Sequence, residues 1–138
     1  MTTRDIKVSE AAALLGVSAD TVRRRAAAAG IEPSTTAGVT VYPAAAVAQL
    51  AAQEAAAAAT QRDDLGDLTP SSARNRLRGI VTRVVRDGVM AQVEVQAGPY
   101  RLVSLISREA ADELGLEEGS LVAATVKATN VGIEGLGR

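Results

Sequence analysis

Cysteine and histidine are both absent from the 138-residue sequence. Their absence excludes disulfide bonds, thiolate nucleophiles and histidine general bases, and it removes the usual ligands of zinc. The sequence also has neither a phosphate-binding loop nor a GxSxG motif, and its paired carboxylates suit a linker and a turn better than acid/base catalysis. We therefore expect no enzyme activity, no catalytic cofactor and no site for a bare metal cation.

Long apolar runs are missing as well. The alanine-rich stretch 44–59 is interrupted by Gln49, Gln53 and Glu54, so it falls short of the roughly 18 apolar residues that a membrane span needs. The N-terminal sequence has no basic region followed by an apolar core, which disfavours a secretory signal. Together with the lack of cysteine, these features predict a cytoplasmic protein with no membrane partner.

Neither charge sign is in excess, because 15 basic residues face 16 acidic ones. This balance argues against binding to DNA through bulk charge, so any nucleic-acid contact must be local. Composition divides the chain into an alanine-rich helical segment (1–60), a linker (61–71) and a segment of alternating valines and glycines (72–138). We predict an α+β protein made of a helical domain, a linker and a small β-barrel.

The N-terminal segment has the capping and termination signals of two short helices. Ser9 is predicted to cap a helix that ends at Gly16, and Ser18 is predicted to cap a second helix over about residues 19–28. Two short helices joined by a glycine-containing turn form a helix-turn-helix layout. The stretch VSEAAALLGVSADTVRRRAAAAGI resembles the helix-turn-helix of MerR-type and excisionase-type DNA-binding domains. The resemblance implies double-stranded DNA as a partner, with the second helix in the major groove.

The candidate DNA-contact residues lie at the start of the second helix and along its arginine triplet. They are Ser18, Asp20, Thr21, Arg23, Arg24 and Arg25. A guanidinium can grip a guanine edge or a phosphate with two hydrogen bonds, which suits either reading or anchoring. The alternative is that the three arginines form a solvated helix face.

A wing is expected to follow, as a hairpin over residues 35–42 that turns at Ala37 and Gly38. This hairpin has no basic residue, whereas such wings tend to be basic, so we expect weak DNA binding by one copy and compensation by an assembly of copies. The alanine-rich helix after Pro43 fits a spacer better than a dimer contact, because it sustains no heptad repeat.

The C-terminal segment has the pattern of short strands. Val89, Ala91, Val93 and Val95 alternate with polar or flexible residues, as in a strand with one buried face. Further strands are predicted at 77–85, 101–106 and 121–127, with a short helix capped by Ser107 and a turn at Glu118 and Gly119. Several short strands and one helix predict an OB-like β-barrel.

Three stretches of this segment carry a resemblance. SARNRLRGIV from Ser72, SREAADELGLEEGSLV from Ser107 and VKATNV from Val126 closely resemble the molybdate-binding Mop domain of molbindins, also called the TOBE domain. The resemblance implies molybdate or tungstate as ligand, bound between subunits of a homo-oligomer. The implied ligand residues are Ser72, Arg74 and Asn75 from one subunit and Lys127, Ala128 and Thr129 from another, Ala128 acting through its backbone N–H.

These residue types suit the ligand. Molybdate is a tetrahedral dianion with acceptor oxygens only, so its site needs converging N–H and O–H donors and a positive charge. Sulfate and phosphate are competitors because they are tetrahedral oxyanions too. The alternative is that Arg74, Arg76 and Arg78 are alternate exposed positions on an edge strand.

The two modules together predict a molybdate-responsive, DNA-binding transcriptional regulator. One alternative is an intracellular molybdate storage protein with no specific DNA target. A second, less favoured alternative is an enzyme of molybdenum cofactor metabolism. The operator, the oligomer size and the sign of the coupling between ligand and DNA stay open.

Overall fold

The structure is a computed structural model that describes residues 4–137 and combines α-helices with two antiparallel sheets. One unit ends at Gln61 and the second begins at Arg62. Each unit has its own hydrophobic cluster, so each is described by itself.

In the first unit, two short helices follow the first strand of a small three-stranded sheet along the chain. The elements of this unit are β1 (Asp5–Lys7), α1 (Val8–Leu15), α2 (Ala19–Ala28), β2 (Ser34–Thr36), β3 (Val39–Pro43) and α3 (Ala44–Asp63), the last of which ends two residues inside the second unit. The strands pair in the order β1-β3-β2. No helix within residues 4–137 is both long enough and apolar enough to cross a membrane.

The end of α1 and the start of α2 are each determined by a single residue. Gly16, with φ of 68°, ends α1, and the hydroxyl of Ser18 accepts the backbone N–H of Thr21 at 3.1 Å to begin α2. The predicted cap at Ser9 is wrong. Because β1 leads directly into the helix, Lys7 is the N-cap, and its N–H donates to the Glu10 carboxylate at 3.0 Å.

The predicted hairpin is present between β2 and β3. Ala37 and Gly38 have φ of 52° and 77°, and two positive φ values in a two-residue loop give the turn whose twist suits paired strands. The core beneath joins Val22 of α2, Tyr42 of β3 and Val47 of α3, all buried. The small buried residues Ala11 and Ala26 let the two short helices pack closely.

The second unit is built on one long strand. Its elements are β4 (Asn75–Arg86), β5 (Met90–Ala97), β6 (Tyr100–Ser107), α4 (Arg108–Glu113), β7 (Leu121–Val126) and a 3₁₀ turn (Ala128–Asn130). The sheet order is β6-β5-β4-β7. The long strand β4 pairs with β7 through its first half and with β5 through its second half, and Ile80 pairs with both.

This sheet curls around a small core. Val93 of β5, Ile106 of β6 and Val122 of β7 pack into one cluster with Ala111 of α4. Within residues 4–137, β6 and β7 are the two edges and do not pair with each other, so the predicted barrel is a curled half-barrel here. Val89 does not continue the buried face as predicted. It lies before β5 and is 74% exposed.

Gly79 marks a close approach between β4 and β5. A Cβ atom built on Gly79 would lie 2.6 Å from the carbonyl oxygen of Gln96 and 2.7 Å from Cγ1 of Val95. Because no side chain fits at those distances, β4 can cross from one partner strand to the other at this point only with glycine.

Candidate functional site

The start of β4 lies beside the end of β7. Asn75 is in register with Val126, and its side-chain Nδ2–H donates to the Val126 carbonyl at 3.1 Å. Arg74 comes immediately before this pair and Lys127 immediately after it. Antiparallel pairing therefore brings the two predicted ligand segments, 72–75 and 127–129, to one corner of a single chain, whereas the resemblance implied that they meet from two subunits. We call this region the β4–β7 corner.

The corner carries uncompensated positive charge. Arg74 and Lys127 are both exposed, and neither belongs to an ion pair within residues 4–137. Two other arginines of β4 are engaged: Arg78 pairs with Asp63 at 3.0 Å, and Arg86 pairs with Asp112 at 2.9 Å. Two cations that face solvent at one corner favour an anionic ligand.

Residues with hydrogen-bond donors lie next to both cations in the chain. The 3₁₀ turn begins after Lys127, and its own hydrogen bonds use the N–H groups of Asn130 and Val131. The N–H groups of Ala128 and Thr129 therefore have no partner inside the turn. On the other segment, the hydroxyl of Ser71 accepts the N–H of Ala73 at 3.1 Å and shapes the turn, while Ser72 is exposed.

Asn75 has a role that the sequence did not reveal. Its amide joins β4 to β7 across 51 positions of the chain, so it fixes the two ligand segments against each other. One Nδ2 hydrogen is committed to Val126, and an amide has a second one. The pairing partner is too remote for any local pattern to have identified it.

The edge-strand alternative for the arginine row is wrong. β4 lies between β5 and β7, and the Arg78 side chain is only 19% exposed. Arg76 donates to the backbone carbonyl of Thr69. Of the three alternating arginines, only Arg74 extends into solvent without a partner among the described residues.

The candidate DNA-contact residues differ in how they are held. Ser18 and Thr21 hydrogen-bond each other at 2.9 Å as part of the helix cap. The candidates Arg23 and Asp20 form an ion pair with each other at 3.2 Å. The candidate Arg25 forms an ion pair with Glu54 of α3 at 2.7 Å. Arg24 is exposed and has no ion-pair partner within residues 4–137.

Two carboxylates of the second unit have a lowered pKa. The hydrogen bond from Arg101 lowers the pKa of Glu94, and the backbone N–H groups of Met90 and Val89 lower the pKa of Asp87. Both groups are therefore more firmly ionised than usual, and each is stabilised by its own partners.

Comparison with known proteins places the second unit in a family. Residues 71–133 match the TOBE domain model. The chain is 41% identical to molybdenum-pterin-binding protein 2 of Clostridium pasteurianum over 61 residues, which make up 44% of this chain and 90% of that protein. The chain thus belongs to the TOBE-domain family through its second unit.

Two solved structures are also similar. MopII from Clostridium pasteurianum is 39% identical with a TM-score of 0.45, over 48% of this chain and 100% of that one. The cytoplasmic molybdate-binding protein ModG, solved with molybdate bound, is 34% identical with a TM-score of 0.42, over 48% of this chain and 46% of that one.

Proposed function

We propose that this protein binds molybdate, or tungstate, at the β4–β7 corner. The observation that supports the proposal is the pair of exposed cations, Arg74 and Lys127, which both lie just beyond the Asn75–Val126 pair and have no ion-pair partners among the described residues. The similarity to a protein named for molybdenum binding supports a molybdenum oxyanion as the ligand.

The charges and donors of the corner match a tetrahedral dianion. Arg74 and Lys127 together balance two negative charges, and the guanidinium supplies paired N–H donors. The hydroxyls of Ser72 and Thr129 and the backbone N–H of Ala128 add donors of different direction. Asn75 holds the two segments in register and offers its second amide hydrogen.

A single exposed corner would bind an oxyanion weakly, because water screens its charges. A second copy of the chain placed against the corner would exclude water and strengthen each charge-assisted hydrogen bond. We therefore propose that the protein works as a homo-oligomer with its anion sites at subunit contacts. The proposal is for ligand binding without turnover.

Calorimetric titration of the full chain with molybdate, tungstate and sulfate tests this function. We expect molybdate and tungstate to bind and the double variant Arg74→Ala, Lys127→Ala to lose most of that binding. Arg83→Ala is the matched control, since Arg83 is an exposed cation of β4 with no ion pair among the described residues. A folded wild-type chain that binds none of the three anions would refute the proposal.

We propose further that the first unit binds double-stranded DNA, which would make the protein a molybdate-responsive regulator. The supporting observation is the α1–turn–α2 arrangement with Arg24 exposed and unpaired among the described residues. Selection of bound duplexes from a random-sequence DNA pool, with and without molybdate, tests this step. If no sequence is enriched in either condition, the storage alternative, without a specific DNA target, is favoured.

A further inference from the structure

The segment 65–70, which we call the strap, is attached to β4 by two arginines. Arg78 donates to the carbonyl of Gly66 through Nη2 at 3.0 Å and through Nε at 3.3 Å. Arg76 donates through Nη2 to the carbonyl of Thr69. Leu65, Gly66 and Leu68 of the strap line a cleft of about 360 Å³ together with residues of β4 and β7.

The Arg76 side chain is committed to this contact. Its Nε is buried and has no hydrogen-bond partner within residues 4–137. A buried N–H without an acceptor is unfavourable. The guanidinium is therefore held in this position by the hydrogen bond from Arg76 Nη2 to the Thr69 carbonyl. Arg76 therefore does not belong to the free charge of the β4–β7 corner.

The Arg76–Thr69 hydrogen bond closes a short loop that contains half of the proposed anion site. Thr69 lies three residues before Ser72, and Arg76 lies two residues after Arg74. The loop is thus tied at its base by Arg76 and tied to β7 by Asn75. Holding donors in place before the ligand arrives reduces the entropy lost on binding.

We propose that Arg76 is a positioning residue for the oxyanion site: by holding the Thr69 carbonyl it keeps Ser72 and Arg74 in the geometry that receives the anion. This inference rests on the proposed function. It distinguishes two arginines two residues apart, of which Arg74 contacts the ligand and Arg76 shapes the loop.

The test combines calorimetric titration with molybdate and hydrogen exchange of the peptide covering residues 64–71, both on the full chain. Arg76→Met removes the donors while keeping a long side chain, and Arg76→Lys keeps one donor and the charge. Arg83→Met removes a cation of the same strand that does not touch the strap. Because one hydrogen bond is lost, we expect Arg76→Met to weaken molybdate binding roughly two- to tenfold and to speed exchange in the strap.

Arg76→Lys is expected to restore part of both properties, and Arg83→Met is expected to change neither. Faster exchange with unchanged affinity in Arg76→Met would overturn the positioning role, as would equal losses of affinity in Arg76→Met and Arg83→Met, which indicate a general effect of charge. Unchanged exchange would overturn the contact itself. If the wild-type chain binds no oxyanion, the proposed function and the positioning role fail together, while the exchange data still decide whether Arg76 holds the strap.

Discussion

The side-chain amide of Asn75 donates to the backbone carbonyl of Val126 at 3.1 Å, and the two residues are in register at the last pair between β4 and β7. A side chain thus reinforces the strand pairing at the point where the backbone of both segments leaves the sheet. The geometry of the proposed anion site depends on this contact, because Arg74 and Lys127 both lie immediately beyond it.

Asn75 should contribute both to the stability of the fold and to molybdate binding. Asn75→Ala removes one hydrogen bond and is expected to lower the free energy of unfolding by about 1 kcal/mol and to weaken molybdate binding severalfold. Asn75→Asp places a carboxylate beside the Val126 carbonyl and the anion, so we expect it to abolish binding. Urea denaturation and calorimetry measure the two effects. Wild-type affinity in both variants would show that Asn75 is not part of the site.

Gly79 should tolerate no side chain. Gly79→Ala would bring a methyl group within 2.6 Å of a backbone oxygen, which cannot rotate away, so we expect a loss of about 1–3 kcal/mol in the free energy of unfolding. Gly88→Ala is the matched control, because a Cβ at Gly88 meets nothing within 4 Å. Thermal and urea unfolding compare the two variants, and equal stability would contradict the close approach of β4 and β5.

Two arginines of the α2 triplet should have different roles, Arg24 in DNA binding and Arg25 in stability. Arg24→Ala is expected to weaken binding to a selected DNA duplex while leaving stability nearly unchanged, because Arg24 is exposed and has no ion pair among the described residues. Arg25→Ala breaks the pair with Glu54, whose partly exposed side chains limit the loss to about 0.5 kcal/mol. Fluorescence anisotropy and thermal unfolding measure the two properties. A larger DNA effect from Arg25 than from Arg24 would contradict this division.

Acid should weaken the β4–β5 hairpin through Asp87. Its carboxylate accepts the N–H of Met90 at 2.7 Å and of Val89 at 2.9 Å, and these hydrogen bonds lower its pKa from the ordinary value of 3.8. A lowered folded-state pKa adds stability that is fully present above the unfolded-state value and is lost as the pH falls through the folded one.

The variant Asp87→Asn keeps an acceptor oxygen but cannot titrate. We therefore expect the wild-type chain to be the more stable of the two near neutral pH, and the difference to shrink as the pH falls below about 4. Urea midpoints measured between neutral pH and the acid limit of folding follow the change. A difference that stays constant over that range would rule out this contribution of Asp87.

Local signals in the sequence were sufficient where one residue decides a conformation. Ser18 and Ser107 cap their helices through a hydroxyl, and Gly16 ends α1 with a positive φ, as predicted. Val89 was placed wrongly for a reason that is also local. Its N–H is taken by the Asp87 carboxylate, so the chain is still turning where the alternation of valines already suggested a strand.

Long-range pairing was beyond the sequence. Nothing in the pattern around Arg76 shows that its guanidinium reaches the Thr69 carbonyl, or that Asn75 reaches Val126. The resemblance implied the residues of the proposed anion site, and the β4–β7 register brings the two segments that contain them together within one chain. β1 was missed because three residues are too few to show a period.

Because β4 is divided between two partner strands, an inserted or deleted residue has a different effect in each half of the strand. β7 aligns residues 75–80 of β4 and β5 aligns residues 80–86, and the register shift between Val81 and Arg83 lies within the half aligned by β5. Since moving a strand by one residue turns every side chain to the opposite face, the arginine row depends on the β7 alignment alone. Insertions in the β4–β5 hairpin are therefore neutral for the anion site, whereas one residue gained or lost between Arg74 and Gly79 would turn Arg74 to the opposite face of the strand.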